Sequence, residues 1–112
     1  MNKLFRKVNG NQNMPDVVLK YQKLIGENFN FRREIIPLYS DSELRRLIMP
    51  VILFMGEKDV IFHSVQTAKR IRSLLPHANI NIIPEAGHTL INLADKIIAF
   101  IQYKAKLTSD GV

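Results

Sequence analysis

The stretch Pro50-Val51-Ile52-Leu53-Phe54-Met55-Gly56-Glu57-Lys58-Asp59 decides the fold. Val51 to Met55 are apolar without a break, held between a proline and a glycine. A strand with one wet face alternates apolar and polar side chains. An unbroken run predicts a strand covered on both faces, as in a parallel sheet. Gly56 ends the run, and Asp59 falls just past its carboxyl end, the side on which open α/β sheets place their chemistry. A second unit of the same form follows: Asn79-Ile80-Asn81-Ile82-Ile83-Pro84-Glu85-Ala86-Gly87-His88. An acid therefore follows one strand and a histidine the next.

Between the two strands, Val65, Ala68, Ile71, Leu74 and Leu75 form a helical stripe that can pack on a sheet, with Lys69, Arg70 and Arg72 facing out. Ser64 is placed to cap this helix and Pro76 to stop it. The segment 51–83 reads as one βαβ unit, which is expected to be parallel and right-handed. Ile80, Ile82 and Ile83 make its second strand.

Upstream, Ser40-Asp41-Ser42-Glu43 is a capping box opening a short helix, with Leu44, Leu47 and Ile48 as its apolar edge and Pro50 as its stop. Phe31 to Tyr39, broken by Pro37, reads as an extended connection. Pro15 and Asp16 suit the first turn of another helix. Val17, Tyr21, Leu24, Ile25 and Phe29 then recur at helical spacing, opposite Lys20, Gln22 and Lys23, and Gly26 weakens the end. Residues 1–13, with four asparagines, show no lasting period and are expected to form a loose start. Downstream, a helix over about residues 91–105 is predicted to turn Leu93, Ile97, Ile98 and Ile101 inward. Thr108 to Val112 should fray.

The 112 residues correspond to one domain, and a chain of this length buries roughly 65% of its unfolded surface. Hydrophobic content of 46% and charged content of 23% are those of a soluble globular protein. The absence of cysteine excludes a disulfide scaffold and a thiolate metal site and fits the cytoplasm. No apolar run reaches signal-peptide or membrane-span length, so no membrane partner is expected. The net charge of +6 comes as scattered pairs, Arg6-Lys7, Arg32-Arg33, Arg45-Arg46 and Lys69-Arg70. Such pairs read as solvated helix faces rather than a nucleic-acid patch.

The first strand and its loop to Asp59, followed by Ile82-Ile83-Pro84-Glu85-Ala86-Gly87-His88, resemble the C-terminal part of an α/β-hydrolase. That resemblance covers residues 40–101, and residues 15–39 resemble, more loosely, the lid segment that covers a substrate pocket. Packing of the 15–39 helix on its own core is the alternative. In the family the triad runs serine, acid, histidine along the chain, with the serine in a G-x-S-x-G elbow. The resemblance implies that Asp59 is the triad acid and His88 the base, that no cofactor or metal takes part, and that ester or amide bonds are cleaved. None of the five serines (Ser40, Ser42, Ser64, Ser73, Ser109) has glycine at both flanking positions two away. The nucleophile half of the fold is therefore expected to be absent. After His88 the family's acidic, proline-containing turn is replaced by Asn92-Leu93-Ala94-Asp95, so the last helix is expected to start earlier.

In a serine hydrolase the acid fixes the tautomer of the imidazole, which takes the proton of the serine. Adjacent parallel strands put Asp59 and His88 at one sheet edge, within reach of each other. His63 and His77 make no ligand spacing and read as turn residues, as Glu57 and Glu85 read as exposed loop acids. Gly87 allows a sharp turn or a close backbone approach before His88. Three functions stay open: a hydrolase fragment inactive alone, half of a split hydrolase completed by a second chain that supplies the serine, and a non-catalytic interaction domain. The strand at 51–55 has no Lys, Pro or inward charge guarding its outer edge, so a homodimer or larger oligomer through that strand is expected, the competing outcome being that Phe31 to Tyr39 folds back over the edge.

Overall fold

The computed structural model describes residues 3–30 and 33–109. In chain order it has α1 (Lys3–Asn9), α2 (Asp16–Asn28), α3 (Asp41–Leu44), β1 (Ile52–Gly56), α4 (Ser64–Leu74), β2 (Asn79–Ile83) and α5 (Ala94–Ser109). The class is α/β, with two parallel strands and five helices among the described residues, where about four helices were expected. The register runs from Ile52 opposite Asn79 to Gly56 opposite Ile83. Flanking bonds continue the ladder on both sides, Asn79 N–H to Val51 O at 2.9 Å and Glu57 N–H to Ile83 O at 2.9 Å. Residues 51, 53, 55 and 57 thus face β2. Ile52 and Phe54 turn their peptide groups to the other edge, where no strand lies among the described residues.

The core is small. Met55, Ala68, Leu74, Leu75 and Ala86 are buried, and α4 packs on β2. Val65, expected in the same stripe, is exposed. Two strands about 4.8 Å apart are narrower than the ~10 Å helix that rests on them, so the stripe outruns its support. The same shortage limits β1. Val51 to Phe54 are only half-buried, and full cover is reached at Met55 and Gly56.

The capping box forms in both directions. Ser40 Oγ accepts from Glu43 N–H at 3.2 Å, and Ser40 N–H donates to Glu43 Oε1 at 3.1 Å. Arg70, expected to face only water, donates to Asp41 Oδ1 at 2.9 Å and to Tyr39 O at 2.9 Å, tying α4 to the start of α3. Pro15 precedes α2, and the helix runs through Gly26 to Asn28. At α5, Asn92 takes a left-handed φ of 61°, which delays the helix to Ala94 rather than advancing it. The helix holds through Ser109, and the rest of the tail, 110–112, lies outside the described residues, as do Phe31 and Arg32 of the connection.

The apolar faces of the long helices are uncovered. Val17, Tyr21, Leu24 and Ile25 on α2 and Phe29 just past its end are exposed, and so are Ile97, Ile98 and Ile101 on α5, which were expected to face inward. Among the described residues neither helix packs its apolar face on another element, and α2 is tied to α1 by the polar pair Asn9–Gln22. A folded monomer of 12.9 kDa exposes roughly 6,300 Å², whereas this chain exposes 9200 Å². Its radius of gyration of 16.8 Å likewise exceeds the ~13 Å of a compact domain this long.

Candidate acid–histidine site

Two loops at the carboxyl ends of the parallel strands build the site. Asp59 lies in the loop after β1, where its own N–H donates to Gly56 O at 3.2 Å. Its Oδ1 accepts from the backbone N–H groups of Ile61 at 2.7 Å and Phe62 at 3.0 Å. Its other oxygen, Oδ2, is 3.1 Å from His88 Nδ1. Burial pushes the Asp59 carboxyl up. The N–H groups of Phe62 and Ile61 and the nearby His88 outweigh that, and the net result is a value below the usual aspartate range.

His88 follows β2 through a loop sewn to its neighbour. Lys58 N–H donates to Ala86 O at 2.7 Å, and Glu85 N–H to Glu57 Oε1 at 3.2 Å. Glu85 has a φ of 62°, which turns the chain back after Pro84. Gly87 meets Gly56 backbone to backbone: a Cβ on Gly56 would overlap the carbonyl oxygens of Gly87 and Ala86. The Asp59 side chain is only 4% exposed and that of His88 38%, so the acid is enclosed and the imidazole reaches solvent. The ring of Phe62 meets the imidazole edge-on, with centroids 5.1 Å apart. His88 Nε2 has no hydrogen bond among the described residues. In the neutral tautomer that donates Nδ1–H to Asp59, Nε2 carries a lone pair, the arrangement a general base needs.

The sequence-derived pair is thus brought together. The other histidines stand apart: His63 precedes α4, and His77 Nε2 lies 3.0 Å from Met49 O. Ser64 does not cap α4. Its hydroxyl is buried and donates to Gly56 O at 2.7 Å, so the serine that begins α4 is committed to the end of β1, and no serine bonds to His88 among the described residues. Nor do they include a group of three or more His, Cys, Asp or Glu side chains arranged to hold a metal ion. A depression of about 460 Å³ lined by Tyr39, Glu43, Leu44, Arg46 and Leu47 contains neither Asp59 nor His88.

Sequence reasoning missed the N-terminal contribution. The expected loose start contains α1, and Gly10 forms an antiparallel bridge with Ala86 beside His88. Gln22, expected to face water, pairs with Asn9 and reaches Thr89. The only sequence signal was Gly10 itself, within an asparagine-rich stretch that has the composition of a loop.

Comparison with known proteins finds similarity to carboxylesterases over part of the chain. A stretch of 53 residues is 32% identical to carboxylesterase YbfK of Bacillus subtilis (strain 168). It is 34% identical to the uncharacterized carboxylesterase nap of the same organism. In each case the match takes in 47% of this chain and 18% of the relative, so the chain aligns with under a fifth of these esterases. No family model and no solved structure matches. Among the described residues no helix is long and apolar enough to cross a membrane.

Proposed function

We propose that these residues carry the acid and the base of a carboxylesterase-type serine hydrolase, and that they are inactive until a serine nucleophile and an oxyanion hole come from outside the 112 residues. The observation that carries the reading is the Asp59–His88 contact at 3.1 Å, with the other carboxylate oxygen held by two backbone N–H groups. The partial likeness to carboxylesterases supports an ester as the substrate class.

In this reading Asp59 holds Nδ1–H and stabilises the imidazolium that forms. His88 Nε2 takes the proton from the incoming serine hydroxyl as that oxygen attacks the ester carbonyl. The same nitrogen then returns the proton to the departing alkoxide, and a water repeats the sequence to free the acid. A second reading, a non-catalytic interaction domain, is favoured by the 9200 Å² of exposed surface, more than a free-standing monomer of this size shows.

The test is labelling with a fluorophosphonate. The purified chain alone should remain unlabelled and should not hydrolyse p-nitrophenyl acetate. Removal of a nucleophile costs on the order of 10⁶ in kcat, and loss of oxyanion donors another ~10²–10³. Stoichiometric labelling of the chain alone, abolished by a serine substitution within it, overturns the reading. A G-x-S-x-G polypeptide that restores esterase activity with the wild-type chain, and not with His88→Ala, separates it from the non-catalytic alternative.

A further inference from the structure

The two residues flanking His88 are held by one short segment. Gly87 N–H donates to Asn9 O at 3.2 Å, and Thr89 N–H donates to Val8 O at 3.1 Å. The same segment grips the loop on either side. Asn11 N–H donates to Glu85 O at 2.8 Å, and Gln12 Nε2 donates to Thr89 O at 2.6 Å. Three backbones are stacked here with no room for side chains between them. A Cβ on Gly87 would overlap Val8 O, and one on Gly56 would overlap Gly87 O. Gly10, at φ 67°, passes against Gly87.

This segment is itself fixed by a reciprocal amide pair. Asn9 is 3% exposed. Its Nδ2 donates to Gln22 Oε1 at 3.0 Å, and Gln22 Nε2 donates back to Asn9 Oδ1 at 2.7 Å. Gln22 Nε2 also lies 3.3 Å from Thr89 Oγ1, which carries the link from α2 to the residue after His88.

We infer that residues 8–12 form a clasp that positions His88, and that Asn9 and Gln22 are its positioning residues. Among the described residues the imidazole has one hydrogen bond of its own, to Asp59, and one ring contact, to Phe62. Its distance from the carboxylate therefore depends on where the main chain of 87–89 is held. A displacement of about 1 Å is enough to cost a catalytic contact. The clasp sets that main chain from one side and Gly56 from the other. Asn9 and Gln22 touch neither Asp59 nor the imidazole; they act through Gly87 and Thr89.

The value of this hold for catalysis rests on the hydrolase reading, but the hold itself is measured without it. The experiment is NMR on the ¹⁵N-labelled full chain, comparing Asn9→Ala, Gln22→Ala and the exchanged pair N9Q/Q22N. In each alanine variant, hydrogen exchange at the Gly87 and Thr89 amides should accelerate roughly tenfold, the scale of one lost hydrogen bond. The amides between β1 and β2 should stay protected. The His88 Nδ1 resonance should move toward that of a free imidazole, and the exchanged pair should restore both signals. Faster exchange at Gly87 and Thr89 with an unmoved Nδ1 resonance overturns the inference, as does unchanged exchange. Should the alanine variants unfold, the wild-type chain decides: mild urea loosens the Gly87 amide and shifts the Nδ1 resonance in parallel if the clasp governs both, and an Nδ1 resonance that stays put while that amide opens refutes it. Failure of serine complementation would sink the hydrolase reading and leave these signals as they are.

Discussion

Gly56 and Gly87 touch backbone to backbone at the carboxyl end of the sheet, one the last residue of β1, three before Asp59, and the other in the loop after β2, beside His88. The contact sets the spacing of the two loops. A methyl group at Gly56 meets only main-chain atoms of Ala86 and Gly87, which cannot swing aside as a flexible side chain could. Gly56→Ala is therefore expected to destabilise the chain by about 1–3 kcal/mol, the usual range for overpacking, and to part Asp59 from His88. Urea denaturation measures the first effect and the Nδ1 resonance the second. An alanine variant with wild-type values for both would show that the loops are spaced by something else.

Ser64 is expected to behave as a structural serine. Its buried hydroxyl donates to Gly56 O, and Ser64→Ala leaves that carbonyl with one partner fewer, at a cost of about 1–2 kcal/mol. The urea midpoint should fall while reactivity toward fluorophosphonate stays absent. Labelling in the wild-type chain that disappears with this substitution would make Ser64 a nucleophile and refute its structural assignment.

Acid should loosen the site in a defined sense. Asp59 has a folded-state value below that of the unfolded chain, so its stabilising contribution is complete above the unfolded value of about 4 and is lost as pH falls through the folded value. Glu43 is also lowered, chiefly by the backbone N–H of Ser40, and titrates in the same direction. Comparing the chain with Asp59→Asn from about pH 6 downward isolates the first group. The stability gap between them should narrow as the solution is acidified. A gap that is constant or widens contradicts the assignment.

The parts legible in the sequence are those set by neighbours along the chain. The apolar run 51–55, the stripe containing Ala68, Leu74 and Leu75, and the Ser40–Glu43 box each carry their reason within a few residues. Asp59 and His88 followed because a βαβ unit brings successive strand ends together. The clasp was not legible: Asn11 and Gln12 find their partners 74 and 77 residues away, and asparagine-rich composition reads as loop whether or not it is paired. The apolar faces of α2 and α5 illustrate a different limit. Periodicity tells which face of a helix avoids water, not whether anything is there to cover it.

The last expectation concerns the open edge of β1. Ile52 and Phe54 direct their peptide groups away from β2, and no described strand meets them. In the connection before α3, Ile35 and Leu38 are 94% and 96% exposed and do not cover this edge. A two-stranded sheet is marginal in water, and an unguarded edge pairs with whatever strand is at hand. In the pure protein the strand expected to pair there is β1 of a second copy. Two-fold symmetry makes the pairing antiparallel and gives one sheet of four strands, β2-β1-β1-β2. The net charge of +6 on each copy opposes the contact, so added salt should strengthen it. Light scattering at micromolar concentration should give twice the 12.9 kDa of one chain. The Ile52 and Phe54 amides should become protected from exchange as concentration rises. A monomer at every concentration, with those two amides exchanging freely, would rule this pairing out.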